Sequence, residues 1–137
     1  MFSHWFFYLR AQYMSLLIIG TMAFDAIETP FGKTDKIIGG AATYIGLAAS
    51  NLYKNINTVS VVGEDFPADY MQLLRNKSIN LEGVQVKEGE NSFFWSGKYS
   101  KNLNERETLI TELNVLEHFD PIIPASYAGA EYVMLGN

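Results

Sequence analysis

Three short apolar runs punctuate the chain, and each ends in glycine: Ser15-Leu-Leu-Ile-Ile-Gly20, Thr58-Val-Ser-Val-Val-Gly63 and Tyr132-Val-Met-Leu-Gly136. Short runs that are continuously apolar, not alternating, predict strands buried on both faces, as in a parallel sheet. Between the first two, Ala41 to Lys54 places Tyr44, Ile45, Leu47, Ala48 and Leu52 at helical spacing and predicts a helix. After the second, the stretch from Asp65 to Lys77 predicts another. Asp65 suits its cap, Pro67 its first turn, and Arg75 and Lys77 the negative end of its dipole. Strand, helix, strand, helix is the order of a doubly wound, mostly parallel α/β sheet. Such sheets bind ligands beyond the carboxyl ends of their strands, where Gly20, Gly63 and Gly136 fall.

A second pattern interrupts the first. Ser92 to Ser100 alternates, with Phe93, Trp95 and Tyr99 on one face and Ser92, Ser96, Lys98 and Ser100 on the other. Arg106 to Glu112 is a further β-prone stretch after the turn-like Asn102-Leu-Asn104, and Phe24 to Thr29 extends up to Pro30. These segments predict a small antiparallel β sheet beside the α/β core. Its aromatic face suits plain packing or the covering of a ligand.

Residues Phe2 to Tyr8 are nearly all aromatic, Arg10 and Gln12 follow, and a second apolar run covers Met14 to Phe24. Neither run approaches the ~20 residues needed to span a bilayer, so no membrane segment is expected. A signal peptide places its basic residue ahead of the apolar run, whereas Arg10 comes after it. Residues 1–13 therefore read as an extension outside the fold and 14–137 as the domain.

Composition narrows the classes. The chain has 137 residues, 48% of them apolar, enough for one domain or a piece of a larger one. It has no cysteine, which excludes disulfides, thiolate metal sites and a cysteine nucleophile and makes a cytoplasmic location the default. Its net charge of −5 and lack of clustered Lys and Arg argue against nucleic acid as a partner.

Several motifs carry no chemistry. Gly32-Lys33-Thr34 lacks the upstream glycine of a phosphate loop, since Ile27 stands there, and no helix follows. Asn76-Lys77-Ser78 is a glycosylation sequon without use in a cytoplasmic protein. His4 and His118 are isolated, and Glu64, Asp65 and Asp69 read as a helix cap with two solvated neighbours; no metal site is expected.

Two features remain. Gly39-Gly40 opens the alanine-rich helix, where glycine lets the backbone approach a ligand and a helix start offers N–H donors. Asp25 is a lone carboxylate five residues after the glycine that ends the first strand, and a carboxylate there can accept hydrogen bonds from two neighbouring hydroxyls of a sugar. A tight turn and a turn-stabilising Asp are the plain structural readings of the same residues.

Together, Gly20-Thr-Met-Ala-Phe-Asp25, Gly39-Gly40-Ala-Ala-Thr-Tyr-Ile-Gly-Leu-Ala-Ala49, Val61-Val-Gly-Glu-Asp65, the aromatic strand after residue 91 and Val133-Met-Leu-Gly-Asn137 resemble the ribokinase-like (PfkB) family of carbohydrate and nucleoside kinases, in order from about residue 15 onward. The resemblance covers less than half of a typical member. It implies that Asp25 and the Gly39-Gly40 backbone hold the hydroxyls of a sugar or nucleoside, that segments 24–37 and 82–112 form a lid, and that Phe93 and Trp95 line it. It also implies ATP and Mg2+ as cofactors, with transfer of the γ-phosphoryl group to a substrate hydroxyl. The resemblance places the Gly-Ala-Gly-Asp and Asn-x-x-Glu motifs of the nucleotide side in the C-terminal half of a member, and neither is read in the present chain, so no catalytic residue is named and the chain by itself is expected to be inactive. Some members dimerise through the lid sheet, which marks the exposed face near 92–112 as a candidate homodimer surface.

Two residues depart from ribose-using members, which carry asparagines where this chain has Ala23 and Tyr44. Tyr44 is thereby a candidate to stack on, or hydrogen-bond to, a different ring. The alternative from another class is a non-catalytic α/β module that binds a polyol or nucleoside. A dinucleotide-binding half-domain has less support, since no Gly-x-Gly-x-x-Gly follows the first strand.

Overall fold

In chain order, the computed structural model contains β1 (Ser15–Gly20), β2 (Ala23–Thr29), β3 (Gly32–Lys33), β4 (Ile37–Gly39), α1 (Ala41–Ala49), β5 (Asn55–Gly63), α2 (Ala68–Asn76), β6 (Ile79–Lys87), β7 (Phe94–Tyr99), β8 (Arg106–Glu112) and β9 (Tyr132–Gly136). Single 3-10 turns occupy Asn114–Leu116 and Ala125–Tyr127. The structure describes residues 14–137; the extension assigned to residues 1–13 lies outside the described residues.

The large sheet is entirely parallel, in the order β6-β5-β1-β9. Leu17 sits between Asn57 and Val133, and Gly20 is paired with Gly136. Alternation along β1 feeds two cores. Leu16 and Ile18 join Ile56, Val62, Met71 and Leu74 beneath α1 and α2, while Leu17 joins Val59 and Tyr127 on the opposite face. Burying each such aliphatic side chain contributes roughly 1.5–3 kcal/mol, so this two-faced strand anchors the domain. Both α-helices lie on one face; the 3-10 turn Ala125–Tyr127 covers the other with a tyrosine ring that is 1% exposed.

The fold class matches the sequence reading, but several details do not. β9 was expected to be buried on both faces, yet it is the edge strand, with Leu135 76% exposed. Helix α1 stops at Ala49, short of Lys54, and passes into a turn. In α2 the cap position is Pro67 with φ −64°, and no side chain caps the helix. Asp65 instead accepts hydrogen bonds from the Ser92 amide and hydroxyl, both at 2.7 Å, and pairs with Lys36 at 2.7 Å. A cap competes with any stronger donor set, and here an ammonium and two Ser92 donors outbid the first-turn amides.

The second sheet has the path β3-β2-β7-β8, with β4 also on β2. It is mixed, not antiparallel: β2 and β7 run parallel from Phe24↔Phe94 to Glu28↔Lys98, and the other pairs are antiparallel. The reason is topological, because β2 follows β1 and β7 follows β6, so both leave the same carboxyl rim in the same direction. Residues 82–87 of the expected lid belong to β6 in the large sheet, where Ile79, Leu81 and Gly83 are buried and their neighbours are not. The small sheet therefore comprises β2–β4 and β7–β8.

Candidate functional site

The two sheets meet at the carboxyl rim, and the backbone there is unusually close. Ala23 pairs with Gly39, and Asp25 with Ile37, across β2 and β4. A side chain on Gly39 would overlap the Asp25 carboxylate, so the absence of a Cβ is what lets that carboxylate lie flat on the Gly39 backbone. Gly40 has φ 90°, a conformation that favours glycine, and a Cβ there would stand 2.8 Å from the Thr21 carbonyl carbon and 2.9 Å from the Ala23 nitrogen. The diglycine thus brings three segments together: the β1–β2 link, β4 and the start of α1.

The helix start is not open, contrary to the sequence reading. The Ala41 amide donates to Thr21 Oγ1 at 3.0 Å and the Ala42 amide to the Thr21 carbonyl at 2.9 Å. Thr21 so fixes the first turn of α1 against β1. The same link is held from below by Ser60 Oγ, which accepts from the Met22 amide at 3.1 Å.

Asp25 faces a cavity of about 410 Å3. Its rim carries Thr21, Gly40 and Tyr44 from the large-sheet side and Phe93, Trp95 and Tyr99 from the small sheet. Ala23, Ile27, Ala41, Arg106 and Asn137 complete the lining. Burial pushes the Asp25 carboxyl up from its ordinary value, with no donor or cation among the described residues opposing the shift. A partly buried carboxylate without such donors, aimed into a cavity, is suited to accept hydrogen bonds from hydroxyls that enter it.

The aromatic wall is built with equal specificity. Trp95 lies over Gly97, where any Cβ would overlap the indole. The Trp95 Nε1–H donates to Thr108 Oγ1 at 3.3 Å, and the Arg106 guanidinium stacks on the ring at 5.0 Å. The Tyr44 hydroxyl donates to the Ile38 carbonyl at 3.0 Å, which commits its proton and leaves its ring face and the oxygen's accepting side for a ligand. Phe93 turns toward the cavity while Phe94, next along the strand, packs on the main core.

Of the six residues singled out from sequence, Asp25, Gly40, Tyr44, Phe93 and Trp95 line this one cavity, and Gly39 supports it from behind. Thr21, Tyr99 and Arg106 complete it. Tyr99 shares the alternating face already read from sequence; Arg106 was missed because only the β7–β8 pairing Tyr99↔Arg106 brings it there.

The residues described do not fit a magnesium-nucleotide site. Among them no group of three or more His, Asp or Glu side chains could hold a metal ion. Gly32-Lys33 is a fully exposed two-residue strand and not a phosphate cradle. The string Asn-x-x-Glu does occur three times, at Asn102–Glu105, Asn104–Glu107 and Asn114–Glu117, which corrects the sequence reading. The first two lie at the β7–β8 turn; the third is a 3-10 turn whose Asn114 side chain donates to the Ser92 carbonyl at 2.9 Å. Among the described residues, none of the three joins a group of three or more His, Asp or Glu side chains able to hold a metal ion.

No family model matches the chain. Among curated proteins it is similar to a cytidine kinase of Thermococcus kodakarensis, 29% identical over 77 residues, which is 56% of this chain and 27% of that protein. Among solved structures it is similar to a ribokinase of Cryptococcus neoformans in complex with ADP, with a TM-score of 0.71 and 13% identity over 89% of this chain and 42% of the other. It is also similar to a nucleoside kinase of Methanocaldococcus jannaschii, an archaeal member of the ribokinase family, with a TM-score of 0.65 and 22% identity over 92% and 46% of the respective chains. The matches span less than half the length of these proteins. With its parallel sheet, rim diglycine and appended mixed sheet, residues 14–137 have the ribokinase-like fold.

Proposed function

We propose that residues 14–137 form the substrate-binding part of an ATP-dependent kinase that phosphorylates a hydroxyl of a sugar or nucleoside. One observation carries this reading: the Asp25 carboxylate, seated on Gly39 with no opposing donor among the described residues, faces the same cavity as an aromatic wall. A carboxylate grips neighbouring hydroxyls, and Tyr44, Phe93, Trp95 and Tyr99 offer ring faces to a planar group. That pairing favours a nucleoside over a bare sugar, in keeping with the nucleoside and cytidine kinases to which the chain is similar. The small sheet would act as a lid, excluding water that would otherwise accept the phosphoryl group.

On this reading none of the described residues supplies the phosphoryl-transfer groups, and the 137 residues bind substrate without turning it over. A cytoplasmic location fits such a role; no helix among the described residues is long and apolar enough to cross a membrane. The exposed Leu109 and Ile110 on β8 support a homodimer through the lid, to be checked by sedimentation of an Ile110→Lys variant.

The test is calorimetric titration of the chain with cytidine, a purine nucleoside and ribose, alongside an assay for ATP-dependent phosphorylation. Nucleoside binding without turnover is expected. Absence of binding to every nucleoside and sugar would overturn the substrate reading, and turnover by this chain would overturn the assignment of the transfer groups elsewhere.

A further inference from the structure

The small sheet is tied to the large one at a point outside the lining of the Asp25 cavity. Two segments of the small sheet face the rim: the link between its strands β3 and β4, and the β6–β7 connection by which the chain enters β7. Lys36 lies on the first and Ser92 on the second. Both converge on the carboxylate of Asp65, which follows β5 at the rim of the large sheet. Lys36 Nζ donates to Oδ2 at 2.7 Å, while the Ser92 amide and hydroxyl donate to Oδ1, each at 2.7 Å.

The β6–β7 connection, the stem of β7, is fixed further. Ser92 is 1% exposed, and its Oγ accepts from the Gly63 amide at 2.9 Å, so a continuous chain runs from the β5 backbone through Ser92 to Asp65. A side chain at Gly63 would overlap the backbone of Glu90, so only glycine admits the stem here. The Glu64 amide donates to the Glu90 carbonyl at 3.1 Å, and the Asn114 side chain holds the Ser92 carbonyl at 2.9 Å. Lys36 in turn rests 4.0 Å above the Phe24 ring, whose own partner is Phe66 at 5.5 Å, adjacent to Asp65 in sequence.

We propose that Asp65 is a positioning residue: its carboxylate pins the β3–β4 link and the β6–β7 connection to the rim and so sets the pose of the aromatic wall over the substrate cavity. This rests on the substrate site proposed above only for its effect on binding; the pinning itself stands on the contacts just described. The residue touches no part of the Asp25 cavity, so it acts through Lys36 and Ser92 alone. Each of its three hydrogen bonds is charge-assisted, the class whose loss is felt most. A cleft of about 240 Å3, lined by Lys36, Asn91, Ser92, Phe94, Glu112 and Asn114, runs beside the pin and admits water to it once it is broken.

The experiment is hydrogen–deuterium exchange on the whole chain, comparing the wild type with Asp65→Asn, Lys36→Met and the double variant, together with nucleoside titration. Asp65→Asn keeps an acceptor for Ser92 but loses the charge. Amides of β2, β4 and β7 are expected to exchange about tenfold or more faster, while those of β1 and β5 stay within about twofold. Lys36→Met should reproduce part of the effect, and the double variant should be no worse than Asp65→Asn, as for two partners in one contact. Substrate affinity should fall in the same order.

Uniform acceleration across both sheets would overturn the proposal, because it would make Asp65 an ordinary stabilising residue. Unchanged exchange in the small sheet would overturn it as well. If the wild type binds no nucleoside or sugar but the exchange pattern holds, the substrate reading fails and the pin stands.

Discussion

Replacing Asp25 by asparagine separates a binding role from a structural one, because the two predict opposite signs for stability. The carboxylate is partly buried and its pKa is raised by that burial. A carboxyl whose folded-state pKa exceeds its unfolded value makes the folded state less stable once it is ionised. That cost is relieved as pH falls through the folded-state pKa toward 3.8. At neutral pH, Asp25→Asn should therefore leave the melting temperature unchanged or slightly higher. Affinity should move the other way. Two substrate hydroxyls donating to an ionised carboxylate make charge-assisted bonds of about 1.5–3 kcal/mol each, against about 0.5–1.5 for neutral ones. Asparagine offers one neutral acceptor and an NH2 group that repels the second donor. Allowing for partial exposure of the site, the loss is about tenfold or more in Kd, at ~1.4 kcal/mol per tenfold. Calorimetric titration gives the affinity and a thermal melt gives the stability. Unchanged affinity would refute the argument, and so would a drop in melting temperature of several degrees, which would mark Asp25 as a structural turn residue.

The same linkage predicts that wild-type affinity for a nucleoside is flat near neutrality and declines on acidification. The decline should begin above the ordinary Asp range, since protonation of Asp25 removes the acceptor; a titration series over pH checks this. Gly39→Ala places a methyl group against the Asp25 carboxylate and should abolish binding without unfolding the domain, as seen by circular dichroism and titration. Tyr127→Phe removes the hydroxyl that accepts from the buried Gly83 amide at 3.1 Å, and should cost about 1–3 kcal/mol in urea unfolding with little effect on binding. On β9, where Tyr132, Val133, Met134 and Leu135 are each at least 47% exposed, a Val133→Lys change should reduce binding of a hydrophobic dye and self-association of the 137-residue chain, read by fluorescence and light scattering.

Legibility varied along the chain for identifiable reasons. The β1 and β9 runs coincide with their observed strands, because uninterrupted Leu, Ile and Val between turn-forming residues leave few alternatives. The β6 strand went unread as a core strand, since Glu82, Gln85 and Lys87 give it the half-exposed alternation of an edge, and its parallel partner lies more than a dozen residues away. Asp65 was read as a cap because the rule for caps is local; Lys36 and Ser92 are 29 and 27 residues distant.

What the sequence determined by itself was the local chemistry: short buried strands, a diglycine before an alanine-rich helix, one carboxylate near a strand end, and an alternating aromatic face. Tertiary structure alone decided which of these meet. Asp25 rests on Gly39 because β4 folds back on β2, and Arg106 reaches Trp95 because β8 folds back on β7. Periodicity reports how a residue sits in its own element; it carries no information about strand pairing between elements, and it is that pairing which assembles the cavity.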